Sequence, residues 1–213
     1  QEVEGRDCIA FAVLQECGIP ELLRLFDEIS RASLAKEDTD TLLFLLKIFG
    51  LFGTTAGTLK IVEAARCPLQ PDGYMWSVIL RNFTAGHPER DLLYDSLREP
   101  LPSGFIAVSL LDAANAILIE ENSLRHPFDS REGIQRLRGW LTNTDAEKHS
   151  YAHSATAALP FISSPERDSL LSVALDHPDT GVQIEAAWAT AKLGQAAGIQ
   201  RLAQHCCNFK TAA

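Results

Sequence analysis

The sequence is short of most features that mark a chain for chemistry. It has no run of lysine or arginine, and its formal net charge is −9 over 213 residues. Such a surface repels phosphate and disfavours nucleic acid as a partner. It has five cysteines, Cys8, Cys17, Cys67, Cys206 and Cys207, and no C-x-x-C pair. An odd, unpaired set speaks against a disulfide framework and for free thiols in a reducing, cytoplasmic compartment. The start, Gln1 to Asp7, is polar and acidic and does not read as a secretory signal. The apolar runs 42–52 and 105–119 are interrupted by Lys47, and by Asp112 and Asn115. Neither supplies the ~20 uninterrupted apolar residues of a membrane span, so both read as core helices. There is no G-x-G-x-x-G, no G-x-x-x-x-G-K-[ST] and no G-x-S-x-G, which removes the usual phosphate cradles and the nucleophile elbow. No stretch alternates apolar and polar residues long enough to make a useful strand.

What the sequence does have is internal repetition. Gly133-Ile-Gln-Arg-Leu137 returns 65 residues later as Gly198-Ile-Gln-Arg-Leu202. Pro88-Glu-Arg-Asp91 returns as Pro165-Glu-Arg-Asp168, and Gly53-Thr-Thr-Ala-Gly57 is echoed by Gly194-Gln-Ala-Ala-Gly198. These matches place successive second-helix starts near 57, 88, 133, 165 and 198. The spacing is about one helical hairpin, with an insertion between 88 and 133.

The hairpins read as 7–17 with 20–34, 40–52 with 56–66, 72–85 with 88–98, 104–122 with 130–142, 146–162 with 165–176, and a final pair within 179–208. Asp179 or Thr180 suits the N-cap of the last pair, and Gly194 suits its left-handed C′ position. Pro20 fits the first turn of a helix, and Ser163 or Ser164 fits a cap ahead of Pro165. Ala186, Ala187 and Ala189 favour close helix–helix approach, and Trp188 reads as a large packing residue whose loss would cost ~3–5 kcal/mol if buried.

The pattern Asp179-x-x-Val182-x-Ile-Glu-Ala186-Ala187-Trp-Ala189-x-x-x-Leu193-Gly194-x-x-x-Gly198-Ile-x-x-Leu202 resembles the HEAT repeat, in the short form found in phycobilisome lyases. Gln183 stands where that pattern often has arginine. The resemblance implies an all-α fold, a right-handed α-solenoid of about six antiparallel helix pairs, with first helices on the convex side and second helices on the concave side. Residues 1–213 then form a single repeat domain. Lys210-Thr-Ala-Ala213 reads as the first turn of a further helix in a longer array, which would leave an uncapped apolar face.

For function, the sequence points to a surface on the second helices. Lys60 and Glu63, Arg90, Asp91 and Tyr94, Gln135, Arg136 and Trp140, Arg167, and Gln200, Arg201, Gln204 and His205 are expected to be exposed there. An exposed Trp140 beside Arg136 would make a binding hot spot, with Arg90, Tyr94, Arg201 and His205 as further contacts; against this, Trp140 could fill space around the insertion. The expected function is a non-catalytic scaffold that binds a protein or peptide, with no cofactor, metal, nucleic acid or membrane. The alternative is an enzyme or enzyme accessory domain of HEAT-like fold, resembling phycobilin lyases or, less in keeping with the charge, alkylpurine DNA glycosylases.

The remaining candidates are weaker. His149 and His153 share a helix face at zinc-binding spacing, but Ser150 stands where H-E-x-x-H has its base. Cys206 and Cys207 lie about 100° apart on a helix and do not converge on an ion, and Cys206 fits the core stripe. His87, His126 and His177 each precede a proline and are turn signals first, or a row of histidines along the loop edge.

Overall fold

The computed structural model describes residues 19–36, 38–66, 73–84, 86–121 and 124–207. The predicted helix 7–17 and Cys8, Cys17 and Cys67 lie outside these. All regular structure among the described residues is helical. In chain order the α-helices are α1 (Ile19–Ala35), α2 (Thr39–Phe52), α3 (Thr55–Arg66), α4 (Gly73–Arg81), α5 (Arg90–Ser96), α6 (Gly104–Glu120), α7 (Arg131–Leu141), α8 (His149–Ala158), α9 (Arg167–Leu175), α10 (Thr180–Lys192) and α11 (Ala196–Cys206). Single 3₁₀ turns, Ala146–Lys148 and Leu159–Phe161, flank α8. None of these helices is long and apolar enough to cross a membrane.

The chain divides into two compact units, residues 1–97 with 102–109, and 98–101 with 110–213. In the first, α2 packs on α1, α3 and α4, and α3 packs on α5. In the second, α8 packs on α7 and α10, α9 packs on α7 and α10, and α10 packs on α11. Within each unit, then, first helices meet first helices (α2 with α4, α8 with α10), and second helices meet second helices (α3 with α5, α7 with α9).

Short polar side chains start several helices, Asp179 among them as the sequence suggests. Asp38, Ser130 and Asp179 cap α2, α7 and α10 by accepting the N–H of Thr41, Gly133 and Val182. Each such cap contributes about 1 kcal/mol. Thr54 does the same for α3 through the N–H of Gly57. The starts of α5 and α9 differ from expectation. Pro88 and Pro165 lie in the preceding turn, and the helices begin at Arg90 and Arg167 after Glu89 and Glu166, which make no side-chain cap. Ser164 instead holds that turn by accepting the N–H of Glu166 at 3.2 Å. Helix α4 stops at Arg81, short of residue 85, where bonds from Asn82 N–H to Ile79 O and Phe83 N–H to Leu80 O tighten the last turn.

The repetition is physical as well as textual. Arg90 Nε donates to Asp91 Oδ1 at 3.1 Å, and Arg167 Nε donates to Asp168 Oδ1 at 3.1 Å. Gly53 and Gly194 close α2 and α10 in the left-handed region, at φ 58° and 80°, where an L side chain is disfavoured. Gly133 and Gly198 solve a different problem. A Cβ at 133 would strike the backbone of Phe128, and one at 198 would strike Ala187 O and Ala191 N. Glycine there lets the second helix start against the preceding chain.

The first unit's core is aromatic: Phe26 meets Phe49 at 5.6 Å and Phe52 at 5.9 Å between ring centres. Trp76, Phe83 and Tyr94 are buried in the same unit. The second unit relies on small residues, with Ala152, Ala155, Ala186, Ala187 and Ala189 fully buried between helices. Trp188 is not part of that core. It is 43% exposed, because Ala186, Ala187 and Ala189 occupy the faces of α10 that meet its neighbours.

Candidate functional site

The second-helix residues singled out by the sequence divide between the two units. In the second unit, Gln135 of α7 is exposed and Arg136 half-buried. Arg136 Nη2 donates to Glu132 Oε1 at 2.7 Å, one turn back on the same helix. Trp140 follows one turn on, and it is half-buried, not exposed. Its ring lies 5.6 Å from Phe128 and 6.0 Å from Tyr151. Phe128 belongs to the inserted loop before α7, so Trp140 does fill space around the insertion while keeping one edge in solvent. Lys148 Nζ sits 5.3 Å from the Tyr151 ring centre and adds a cation to the same cluster. On α11, Arg201 pairs with Asp176 at 3.8 Å, and His205, one turn on, is half-buried.

In the first unit, Arg90 is the side chain that pairs with Asp91, and only 12% of it is accessible. Tyr94 corrects the sequence reading outright. It is fully buried, its hydroxyl has no hydrogen-bond partner, and desolvation raises its pKa above the ordinary phenol value. It presents no surface to a partner. Lys60 is engaged as well, by Asp27 at 2.8 Å and Glu63 at 3.1 Å. Hydrogen bonds from Lys60 and then Arg31 hold the Asp27 carboxyl below its ordinary range.

The three histidines before prolines share one geometry. His87, His126 and His177 each accept, through Nδ1, the backbone N–H two residues on, at 3.2, 3.1 and 3.0 Å. This assigns the neutral-ring proton to Nε2. Nε2 of His87 lies 2.7 Å from Gly50 O, and that of His126 lies 3.1 Å from Asn115 Oδ1. Asn115 Nδ2 in turn donates to Ser154 O at 3.2 Å. His126 and His177 are buried. The three rings therefore close turns and do not form an exposed row. Burial, aided by the Arg98 guanidinium, pushes the His126 pKa down to about 3.

His149 and His153 part company despite their spacing. His149 Nδ1 lies 3.3 Å from Asp179 Oδ2, and its ring meets His177 edge-on at 4.9 Å. His153 faces Glu185 at 3.7 Å. Among the described residues no group of three or more His, Cys, Asp or Glu side chains is placed to hold a metal. Cys206 and Cys207 are both exposed free thiols, so Cys206 is not the core residue its stripe suggested.

Two local hollows lie among the described residues. One of about 240 Å³ lies between α1 and α3, lined by Leu23, Arg24, Asp27, Phe49, Ala56 and Lys60. The other, about 360 Å³, lies where α7 and α9 begin, lined by Arg125, Asp129, Ser130, Arg131, Ile134, Ser164, Pro165 and Glu166. Asp129 organises the second by accepting the Ser163 N–H at 3.1 Å and facing Arg125 at 3.8 Å. Sequence reasoning missed it; the only available signal was its place just ahead of the Ser130 cap.

It also missed the surface around Trp188. Lys192 Nζ lies 4.4 Å from the Phe161 ring centre and 5.0 Å from that of Trp188. Trp188 and Lys192 belong to α10, and Phe161 to the 3₁₀ turn that follows α8. No protein-family model matches the chain, and no curated protein or solved structure is similar to it.

Proposed function

We propose that this protein is a non-catalytic helical-repeat scaffold that binds a protein or peptide along its second helices. Its helix pairs are read as antiparallel repeats stacked into an α-solenoid. The observation that carries this reading is the packing order: first helix on first helix and second helix on second helix, in both units. Within each unit that order sets second helix beside second helix, α3 by α5 and α7 by α9. Their solvent faces then offer a surface to a partner, which is how stacked repeats commonly work. In the second unit this surface carries Gln135, Arg136 and the open edge of Trp140, then Arg167, then Arg201 and His205. Arginine and a partly desolvated tryptophan are the residue types that anchor interfaces. In the first unit Arg90 contributes the accessible part of its side chain.

The test is affinity capture from a cell extract with wild type and with an Arg136→Glu, Arg201→Glu double variant, each quantified by mass spectrometry. The reading expects a specific partner that the charge reversal removes while the helical circular dichroism stays unchanged. Equal recovery of every captured protein by both baits would defeat it.

A further inference from the structure

Of the three histidines that precede prolines, two have both ring nitrogens engaged. Nε2 of His87 meets Gly50 O, and that of His126 meets Asn115 Oδ1. The third differs. His177 is 2% exposed, its Nδ1 accepts the Asp179 N–H at 3.0 Å, and its Nε2 therefore carries the proton of the neutral ring. That buried Nε2–H has no hydrogen-bond partner among the described residues. A buried donor without an acceptor loses its hydration and gains nothing in exchange.

The ring that lies against it has the complementary need. His149, the first residue of α8, meets His177 edge-on at 4.9 Å between ring centres. Its Nδ1 lies 3.3 Å from Asp179 Oδ2, so the neutral ring places its proton there and leaves a lone pair on Nε2. That Nε2 is also buried and without a partner among the described residues. An N–H···N bond of about 3 Å between two imidazole edges sets the ring centres about 5 Å apart. Asp179 divides its oxygens, because Oδ1 is taken by the Val182 N–H at the α10 cap and Oδ2 is left for His149.

We propose that His177 Nε2–H donates to His149 Nε2, closing a ring of hydrogen bonds at the α10 cap that one proton on His149 opens. The ring runs from the Asp179 N–H through both imidazoles and back to the Asp179 carboxylate. It joins the start of α8 to the cap of α10, two helices that pack on each other. A proton taken from solvent occupies the His149 lone pair and sets two Nε2–H donors against each other. The Asp179 carboxylate holds Nδ1–H in both states, so what protonation changes is the contact with His177. The link between these two first helices is thus a pH-sensitive latch, independent of the partner surface proposed above. The titratable groups that meet His149 are Asp179 and His177. Asp145, Glu147 and Lys148 precede it on its own segment, with Lys148 at the Tyr151 ring. On α10, Glu185 faces His153 and Lys192 the Phe161 ring. On α7 and α9, Arg136, Arg138 and Arg167 pair with Glu132, Glu166 and Asp168, and Arg131 lines the hollow at the α7 start. The Leu159–Phe161 turn carries no charge.

The test is ¹⁵N NMR of the histidine rings in the full chain. While His149 is neutral, it is expected as the Nδ1–H tautomer and His177 as the Nε2–H tautomer, with a scalar coupling between their Nε2 nuclei. As pH is lowered and the His149 signals report its proton, the coupling should vanish and the His177 ring signals should move in step. A neutral His149 carrying its proton on Nε2, no coupling between the two neutral rings, or His177 signals indifferent to the His149 proton overturns the proposal. A second measurement is a double-mutant cycle in urea with His149→Phe and His177→Phe, which keep a ring in each place; circular dichroism checks that the helices form. While His149 is neutral, the two changes should be non-additive by at least about 3-fold in the unfolding equilibrium. Once wild-type His149 is protonated they should become additive. Additive effects under both conditions overturn the latch, and the wild-type NMR decides even if a variant does not fold.

Discussion

Mild acid should destabilise the second unit through one side chain, His126. Its ring is 1% exposed, Nδ1 accepts from Phe128 N–H, and Nε2–H is directed at Asn115 Oδ1. Every polar atom of the neutral ring is satisfied, so a proton can be added only by breaking the Phe128 bond and charging a desolvated site near Arg98. The folded pKa of about 3 expresses that cost. An unfolded histidine titrates near 6.5. Below 6.5 the unfolded chain therefore binds a proton that the folded chain refuses, and stability falls as pH falls. The loss runs at about 1.4 kcal/mol per pH unit until the folded pKa is reached. Between pH 7.5 and pH 5.0 it amounts to about 2 kcal/mol.

Urea denaturation can measure this with Trp140 as the reporter, since its ring contacts Phe128, beside His126. Replacing Trp76 and Trp188 by phenylalanine leaves that single signal. The comparison protein carries His126→Gln, which cannot titrate. It should be less stable at pH 7.5 by about 1–3 kcal/mol, because the Phe128 N–H loses its buried acceptor. At pH 5.0 the gap should close, since only wild type pays the protonation cost. The other five of the six histidines are common to both and cancel. Equal losses between pH 7.5 and 5.0 would refute the reasoning, as would ring ¹⁵N shifts showing His126 protonating near 6.5.

Other consequences follow from the same geometry. Gly198→Ala should cost about 1–3 kcal/mol, since the new methyl strikes backbone at Ala187 and Ala191. Gly139→Ala, in the last turn of α7 with nothing within 4 Å, should stabilise by up to about 1 kcal/mol; thermal unfolding reads both. Asp179→Ala should cost about 1 kcal/mol of cap energy at neutral pH. Its carboxyl is held below the ordinary range, first by the Val182 N–H and further by His149. That contribution is therefore present above the unfolded pKa and lost as pH falls through the folded one, so the penalty should vanish in strong acid. Iodide should quench the exposed Trp188 and spare Trp76, which is 2% exposed; if Trp188→Phe leaves the quenchable fraction unchanged, Trp188 is not exposed as described.

Much of the helical framework was legible because it is set locally. The Asp179 cap and the left-handed Gly194 each depend on residues within a few positions. The extent of α4 was not legible, since its end is set by i−3 bonds that no breaker residue announces. Side-chain exposure on the second helices is the least legible feature. Tyr94 is expected on the exposed side of a short second helix, yet tertiary packing buries it. The functions of the His-Pro pairs were equally hidden. Proline restricts the residue before it, but only the folded turn shows imidazole taking the acceptor role that Asp or Ser plays at a helix cap.

The tryptophans carry the more general lesson. The sequence points Trp188, in the last hairpin, to packing, and Trp140, beside the insertion, either to a surface or to filling space there. The structure puts 43% of Trp188 in solvent and settles Trp140 between Phe128 and Tyr151. A repeat needs its shared residues, the glycines and alanines, for packing. A large side chain on top of that minimum is surplus to the fold unless an irregular element gives it a hollow to fill. The insertion provides such a hollow for Trp140, and nothing provides one for Trp188. The same logic separates Ile134, 4% exposed, from its counterpart Ile199, 64% exposed. In a repeat chain the positions worth testing are those where equivalent residues meet different surroundings, because the fold accounts for what the copies share and leaves their differences unexplained.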